Sequence, residues 1–248
     1  MSTEIYARFA QGSPATLHRF TKAVDRLQTD YKTELSPWCT SASKRAFDLA
    51  CVGPSLILIS PLLGMIAIVI RLTSVGPVVF RQQRAGQHGN VFTIYKFRTM
   101  IENSEAIGPE HTAKGDPRLT PFGKFLRRFK LDELPQLYNV LRGDMSLVGP
   151  RPKLPNHDCI HTACLPGVTG PATLAFRREE DILREVQPEH LSEFYQKYVL
   201  PCKVQLDAAY LNKATLAKDV GLLFATILHV GKSLTYQDLL SSAYWPSN

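Results

Sequence analysis

Two adjacent carboxylates, Asp132 and Glu133, stand in the segment LDELPQL and are the first candidates for chemistry in this sequence. Consecutive helical side chains point about 100° apart, so the two are poorly placed to share a proton but well placed for different roles. Pro135 has no N–H and fits best in a first helical turn, which predicts that Asp132 lies near a helix N-cap. The helix dipole and free N–H groups favour an ionised carboxylate there.

An ionised Asp132 can act as a nucleophile toward phosphorus, and Glu133 beside it can hold Mg²⁺. Arg127 and Arg128 precede the pair, and a carboxylate that attacks a phosphate needs such cations to offset the repulsion of like charges. Two plainer interpretations stay open. The acidic pair can simply cap a helix, and the basic residues can form a solvated helix face.

Three further cations have the character of phosphate ligands. Arg151 stands between two prolines in GPRP, whose fixed φ angles would present the guanidinium at little entropic cost. Lys96 and Arg98 in KFRTM alternate along a predicted strand, so they should share one face. A surface turn and an exposed strand face are the alternatives.

A cluster of metal-ligating residue types follows, but its spacing argues against zinc. The pattern H-x-C-x-H-x-x-C matches none of the usual structural zinc motifs. The five cysteines of the chain are scattered and odd in number, which indicates a reducing compartment. The cluster comprises His157, Asp158, Cys159, His161 and Cys164.

The most unusual element is an uncharged apolar segment of 22 residues at 49–70. A helix of that length spans about 33 Å, which is enough to cross a bilayer core. Ser60-Pro61 at its centre predicts a kink, and the Ser60 hydroxyl is a candidate partner for the freed backbone. Both flanks are basic, so neither end suits the extracellular side. A re-entrant helix that enters and leaves on one face satisfies both facts; a buried core helix is the alternative.

Charge and composition restrict the function further. The net charge is +7, and residues 71–151 carry most of the excess, which favours anionic partners such as phospholipid head groups or phosphorylated substrates. The apolar segment argues against a nucleic-acid-binding protein, and no zinc-finger or RNP-type motif occurs. We therefore expect no nucleic-acid partner, and no feature of the sequence indicates an oligomeric state.

The elements that must position these residues follow from local patterns. PVVFRQ and VFTIYKF predict two strands around a glycine-containing turn, and Thr120-Pro121 predicts a helix start. A second helix should run from near Asp132 to Gly143, followed by a short strand at SLV. The C-terminal third is helical in pattern, and residues 216–230 are either a core helix or an amphipathic interfacial helix. Residues 1–40 form an accessory arm.

Taken together, these motifs resemble the bacterial sugar transferase family, the monotopic phosphoglycosyl transferases of the undecaprenyl-phosphate hexose-1-phosphate transferase type. The likeness covers residues 44–170 and the tail near Lys218 and Asp219. The run from Asp116 to Pro152 is the most specific part. The matching motifs are KRAFDLA, the apolar segment with its Ser-Pro, GPVVFRQQRAG, YKFRTM, DPRLTPFGKFLRR, LDELPQLYNVLRGDMSLVGPRP and PGVTG.

The resemblance implies a reaction at the cytoplasmic face of the bacterial inner membrane, as a first step of exopolysaccharide or glycoconjugate biosynthesis. The aspartate of the acidic pair would attack a UDP-sugar, UMP would leave, and polyprenyl phosphate would take the sugar phosphate from a covalent aspartyl intermediate. Carried onto this chain, Asp132 is the expected nucleophile, Glu133 the expected Mg²⁺ ligand and Arg151 a nucleotide-binding residue. Ser60 and Pro61 match the bend of the membrane helix.

The expected architecture is a mixed α/β, mostly helical fold with a short β-hairpin, one re-entrant membrane helix and amphipathic interfacial helices. Residues 1–40 would be the arm, 41–75 the membrane helix and 76–248 the cytoplasmic catalytic domain. The segment PATLAFRREED departs from the family pattern after PGVTG, which leaves the donor sugar open. A non-catalytic membrane scaffold of the same fold is the alternative function.

Overall fold

The computed structural model describes residues 34–104, 116–155, 163–177, 179–183 and 186–228. Within these ranges the predicted mixed α/β, mostly helical fold is confirmed, with two small two-stranded sheets. Most of the accessory arm lies outside the described residues. So do four members of the metal-type cluster, namely His157, Asp158, Cys159 and His161. The predicted domain boundaries stay predictions.

Helix α1, Ala42–Thr73, contains the apolar segment and is continuous through both of its prolines. The Ser41 side chain caps its N-terminus by accepting from the N–H of Lys44. Pro61 has no N–H, so the carbonyl of Ile57 loses its helical donor. The Ser60 hydroxyl donates to that carbonyl at 2.8 Å, as predicted, and satisfies it locally.

The middle of α1 is exposed, whereas both of its ends pack on the rest of the protein. Ile57 and Leu58 are 79% and 82% exposed. Val52 lies in a core cluster with Val140 and Val148, and Ile66 and Ile70 lie in a second cluster with Phe97 and Leu126. Among the described residues, α1 is the one helix long and apolar enough to cross a membrane.

Strands β1, Val79–Ala85, and β2, Val91–Phe97, form the predicted hairpin. They pair antiparallel, with Val79 opposite Phe97 and Ala85 opposite Val91. The backbone reverses where His88 and Gly89 adopt positive φ angles, as expected for the glycine-containing turn. The hairpin confirms the strand prediction and carries Lys96 near its end.

Helix α2, Pro121–Arg128, begins as predicted, with the Thr120 hydroxyl accepting from the N–H of Gly123 at 2.9 Å. A Cβ on Gly123 would lie 2.1 Å from the carbonyl oxygen of Thr99, so only glycine allows α2 to pack this closely on the segment after β2. This approach brings Arg127 toward the chain that follows the hairpin.

The prediction of one helix starting at Asp132 is wrong in detail. Leu131–Glu133 forms a separate 3₁₀ turn after Lys130, whose φ of 57° is left-handed, and α3 spans Gln136–Arg142. Pro135 is the N-cap residue of α3, because its missing N–H costs nothing there. Asp132 therefore does not cap α3. The predicted C-terminal stop is confirmed, with Gly143 at φ 88°.

The C-terminal part wraps around a second core. Strands β3, Ser146–Val148, and β4, Gly167–Thr169, pair in parallel, and β3 confirms the predicted strand. Phe194 and Tyr198 are fully buried at the centre of a cluster built by the helices that follow. These helices are α4 (Pro171–Ala175), α5 (Glu179–Leu183), α6 (Leu191–Phe194), α7 (Leu200–Lys213) and α8 (Leu216–Leu228), with a π-helical turn at Tyr195–Val199 between α6 and α7.

Helix α8 combines both interpretations of residues 216–230. Asp219, Leu222 and Ala225 face the core, whereas Phe224 and Ile227 are exposed. One face thus packs as a core helix does, and the other presents apolar side chains outward.

Candidate active site

A cavity of about 1000 Å³ lies between the β-hairpin, the 3₁₀ turn at Leu131–Glu133 and the helices of the C-terminal part. Its lining brings together residues as far apart in the sequence as Pro77 and Asp207, because separate segments of the chain converge there. Of the predicted site residues, it includes Lys96, Arg98, Arg127, Asp132, Glu133 and Arg151.

The two carboxylates of the acidic pair lie in different environments, although both are buried. Glu133 is held by cations: its Oε1 accepts from Nη2 of Arg151 at 2.7 Å and from Nζ of Lys96 at 3.4 Å. Oδ1 of Asp132 has no hydrogen-bond partner among the described residues. The side chains thus diverge, as expected for separate roles.

The same contacts drive the pKa values of the pair apart. Burial alone would raise the pKa of Glu133, but the charges of Arg151, Lys96 and Lys130 outweigh it and hold the pKa well below its usual range. Burial and the neighbouring Glu133 charge raise the pKa of Asp132 despite the cations around it. The expectation that the helix start favours an ionised Asp132 is therefore not met, because the residue is desolvated and does not cap α3.

Lys96 and Arg151 converge on Glu133 from different elements. Lys96 lies in β2 and Arg151 in the loop after β3, where the two flanking prolines restrict the backbone. Burial lowers the pKa of Lys96, while Glu133 opposes that shift; Glu133 raises the pKa of Arg151. A cationic wall therefore stands beside the acidic pair, and it suits a phosphate group.

The remaining predicted cations are placed apart from one another. Arg127 also lines the cavity and forms an ion pair with Glu180 at 3.0 Å. The Arg128 guanidinium lies 5.7 Å from the ring centroid of Phe129, and Arg128 does not line the cavity. Arg98 donates to Ser74 at the end of α1. Lys96 and Arg98, expected to share one strand face, thus have different partners.

A second wall of the cavity was not predicted. Lys203 and Asp207 line it from α7, and Lys203 donates to Tyr195 at 3.1 Å and forms an ion pair with Glu179. Burial raises the pKa of Asp207 to about 7, although the N–H groups of Arg151 and Ala172 donate to it. The i, i+4 spacing of Lys203 and Asp207 could have indicated this wall from the sequence, because it places both side chains on one helix face.

A Mg²⁺ site here would rest on few protein ligands. No group of three His, Cys, Asp or Glu side chains suited to a metal occurs in the part of the chain that the structure describes. Mg²⁺ commonly uses one or two carboxylates together with substrate phosphates and water. The unpartnered Oδ1 of Asp132 beside Glu133 fits that donor set.

The chain matches the family model described as "Bacterial sugar transferase" over residues 39–233. It is 37% identical over 207 residues to "Undecaprenyl-phosphate glucose phosphotransferase" of Komagataeibacter xylinus, covering 78% of this chain and 36% of the relative. It is 36% identical over 197 residues to "UDP-glucose:undecaprenyl-phosphate glucose-1-phosphate transferase" of Escherichia coli (strain K12), covering 74% of this chain and 39% of the relative.

A third relative has a different sugar in its name. "Undecaprenyl-phosphate galactose phosphotransferase" of Salmonella typhimurium is 36% identical over 208 residues, covering 74% of this chain and 39% of the relative. The matched region thus spans less than two fifths of the length of each of these three relatives.

Proposed function

Because the chain belongs to the bacterial sugar transferase family, we propose that it transfers a hexose-1-phosphate from a UDP-sugar to polyprenyl phosphate. Three relatives are named for such transfers to undecaprenyl phosphate. One observation carries the proposal. A buried Asp132 oxygen without a hydrogen-bond partner lies beside a Glu133 engaged by cations, at a cavity large enough for a nucleotide sugar.

The reaction proceeds in two displacements at one phosphorus. An oxygen of ionised Asp132 attacks the sugar-bearing phosphorus of the donor, the bond to the bridging oxygen breaks, and UMP leaves with that oxygen. The aspartyl phosphosugar is a mixed anhydride. A phosphate oxygen of polyprenyl phosphate then attacks the same phosphorus, and the Asp132 carboxylate is released unchanged.

The residues around the pair prepare Asp132 for this role. Glu133 stays anionic through its contacts with Arg151 and Lys96. The charges of Lys96, Lys130 and Arg127 act against burial and favour the ionised form of Asp132. Lys96, Arg127 and Arg151 line the cavity and offset the charge of the diphosphate as the carboxylate approaches. The pyrophosphate of the donor would lie against this cationic wall.

Mg²⁺ is the expected cofactor, with Glu133 as its protein ligand beside Asp132. When bound, the ion would neutralise charge on the phosphates of the donor. Glu133 would hold the ion while it keeps its contact with Arg151, which donates to Oε1 at 2.7 Å.

Helix α1 is proposed to enter and leave the membrane on the cytoplasmic face of the bacterial inner membrane. Its exposed apolar middle needs an apolar environment. Contacts at both ends support the re-entrant arrangement, since Val52 and Ile70 both pack on the domain that carries Asp132. A helix that crossed the bilayer would place one of these ends on the far side.

The donor sugar is the open choice within this function. The names of relatives include glucose, galactose and N-acetylgalactosamine. Thr173, Phe176 and Arg177, from the segment PATLAFRREED, line the cavity and can contact the sugar. We therefore expect this segment to contribute to donor choice.

The test is incubation of the membrane-bound protein with a panel of UDP-sugars, with UMP release as readout. One donor should give UMP with polyprenyl phosphate present, and intact-protein mass spectrometry with donor alone should show a sugar-phosphate adduct. A membrane-bound, folded protein that turns over no UDP-sugar would instead favour the non-catalytic scaffold. Recovery in the soluble fraction on flotation would contradict both.

A further inference from the structure

Arg98 is a buried cation whose donors are only partly used. It is 7% exposed, and its Nη2 donates to the carbonyl oxygen of Ser74 at 2.8 Å and to the Ser74 hydroxyl at 2.7 Å. Its Nε and Nη1 have no hydrogen-bond partner within the described ranges. Burial of a guanidinium whose N–H groups lack hydrogen-bond partners costs free energy. An anionic ligand that accepts hydrogen bonds from these N–H groups would therefore bind favourably.

The position of Arg98 is defined by the end of helix α1. Ser74 is the C-cap residue of α1, and Arg71 lies in its last turn. Gly76, at φ 106°, passes so close that a Cβ there would lie 2.5 Å from Nη1 of Arg98. Arg98 also lines the cavity that contains Asp132. The guanidinium therefore stands where the proposed membrane helix leaves the membrane and meets the active site.

Arg98 is separate from the cations that surround the acidic pair. Lys96 and Arg151 contact Glu133, whereas the charges that act most on Arg98 are those of Glu102 and Arg71. The phosphorus of the donor must reach Asp132, beside the Lys96–Arg151 wall. The acceptor phosphate must reach the same atom from the membrane surface, because a polyprenyl chain stays in the bilayer.

We propose that Arg98, held by Ser74 at the end of α1, binds the phosphate of the polyprenyl phosphate acceptor. This inference rests on the proposed function and assigns its second substrate to a distinct part of the cavity. The unpartnered Nε–H and Nη1–H groups of this guanidinium can donate charge-assisted hydrogen bonds to phosphate oxygens. Two cations of one short motif thus serve different substrates: Lys96 faces the donor side and Arg98 the acceptor side.

The test separates the two half-reactions in nanodiscs. UMP release with donor alone reports the first, and transfer from the preformed adduct to polyprenyl phosphate reports the second. Arg98→Gln should raise the acceptor concentration needed for half-maximal transfer by about tenfold or more, as expected for loss of a charge-assisted hydrogen bond. The rate of the donor-alone step should change by less than about twofold. Arg98→Lys should restore part of the acceptor affinity.

Three controls address structure and ligand source. Arg81 is an exposed arginine of the same β-hairpin, and its guanidinium lies over the Tyr95 ring. Arg81→Gln should leave the acceptor affinity unchanged. Ser74→Ala removes one partner of Arg98 but not its charge, and should have a smaller effect than Arg98→Gln. Polyprenol without phosphate should not compete with the acceptor, and inorganic phosphate should compete less in Arg98→Gln than in the wild type.

Two results would overturn the assignment. The first is a donor-alone step slowed as much as the transfer step, which would place Arg98 on the donor. The second is an Arg98→Gln variant with unchanged acceptor dependence. Failure of the proposed function itself looks different, because the wild type would then release no UMP from any donor.

Discussion

Nζ of Lys44, in the first turns of α1, lies 2.5 Å from Oδ2 of Asp219 in α8, and both side chains are buried, at 3% and 0% exposure. The Tyr210 hydroxyl donates to Oδ1 of Asp219 at 2.7 Å, and Nε1 of Trp38 donates to Oδ2 at 2.9 Å. The Asp219 carboxylate is thereby fully satisfied. This contact joins the base of the proposed membrane helix to the last helix that the structure describes.

Loss of either charge in this pair should destabilise the protein strongly. Lys44→Met or Asp219→Asn alone leaves a buried charge or an incomplete network, and we expect each to cost about 3–5 kcal/mol. The double change Lys44→Met/Asp219→Asn should cost clearly less than the sum of the two. Thermal unfolding in detergent measures both, and single variants as stable as the wild type would contradict the pair's structural role.

Asp132→Asn should abolish turnover, because an amide does not form the phospho-adduct. We expect UMP release to fall by roughly 10⁴-fold or more, the scale typical of removing a catalytic nucleophile. The adduct should also be missing from intact-protein mass spectra with donor alone, while thermal unfolding stays close to that of the wild type. If the variant kept the wild-type rate, Asp132 would have to leave the mechanism.

Glu133→Gln should change both the pH dependence and the metal dependence of the first step. The charge of Glu133 raises the pKa of Asp132, so its removal should let Asp132 ionise at lower pH. The acid limb of the UMP-release profile should then move to lower pH, while half-saturation by Mg²⁺ should need more metal. An unchanged Mg²⁺ titration would contradict the ligand role of Glu133.

Local chemistry predicted the hairpin, the Thr120 cap, the Gly143 stop and the contact of Ser60 with Ile57, because each depends on neighbouring residues only. It also predicted which residue types form the site. The contact of Glu133 with Arg151 and the burial of Asp132 depend on how distant segments pack, which a single sequence does not specify. The same holds for the wall formed by Lys203 and Asp207, because these two residues of α7 lie more than 70 positions after Asp132 in the sequence.

Asp207 should make stability depend on pH near neutrality. Its pKa is about 7 in the folded protein and 3.8 ordinarily, so the folded state binds the extra proton between these values. The free energy of unfolding should therefore fall as pH rises from about 4 to about 7, by at most about 4 kcal/mol. Asp207→Asn should make this slope in melting temperature clearly shallower. The exposed carboxylate variant Glu189→Gln should keep it, and a wild-type profile that stays flat would contradict the assignment.

The proposed re-entrant arrangement of α1 predicts that both of its flanks are reachable from the cytoplasm. Single cysteines placed at Ser43 and Thr73, in a background without the native cysteines, should both react with a membrane-impermeant thiol reagent added to inverted membrane vesicles. Neither should react in intact spheroplasts. Pro61→Leu restores a backbone donor and favours a straight helix, so it should shift one flank toward labelling from outside. If only one of the two flanks were labelled in inverted vesicles when Pro61 is present, the re-entrant arrangement of α1 would be ruled out.

The packing of both ends of α1 on one domain has a kinetic consequence. If the middle of α1 lies among acyl chains as proposed, the protein and its proposed isoprenoid substrate share a two-dimensional space, and their encounter is a lateral search. The long hydrocarbon tail never has to be extracted into water. Because Val52 and Ile70 fix α1 to the rest of the protein, the Asp132 carboxylate would keep a constant height above the leaflet, within reach of a head group that diffuses past.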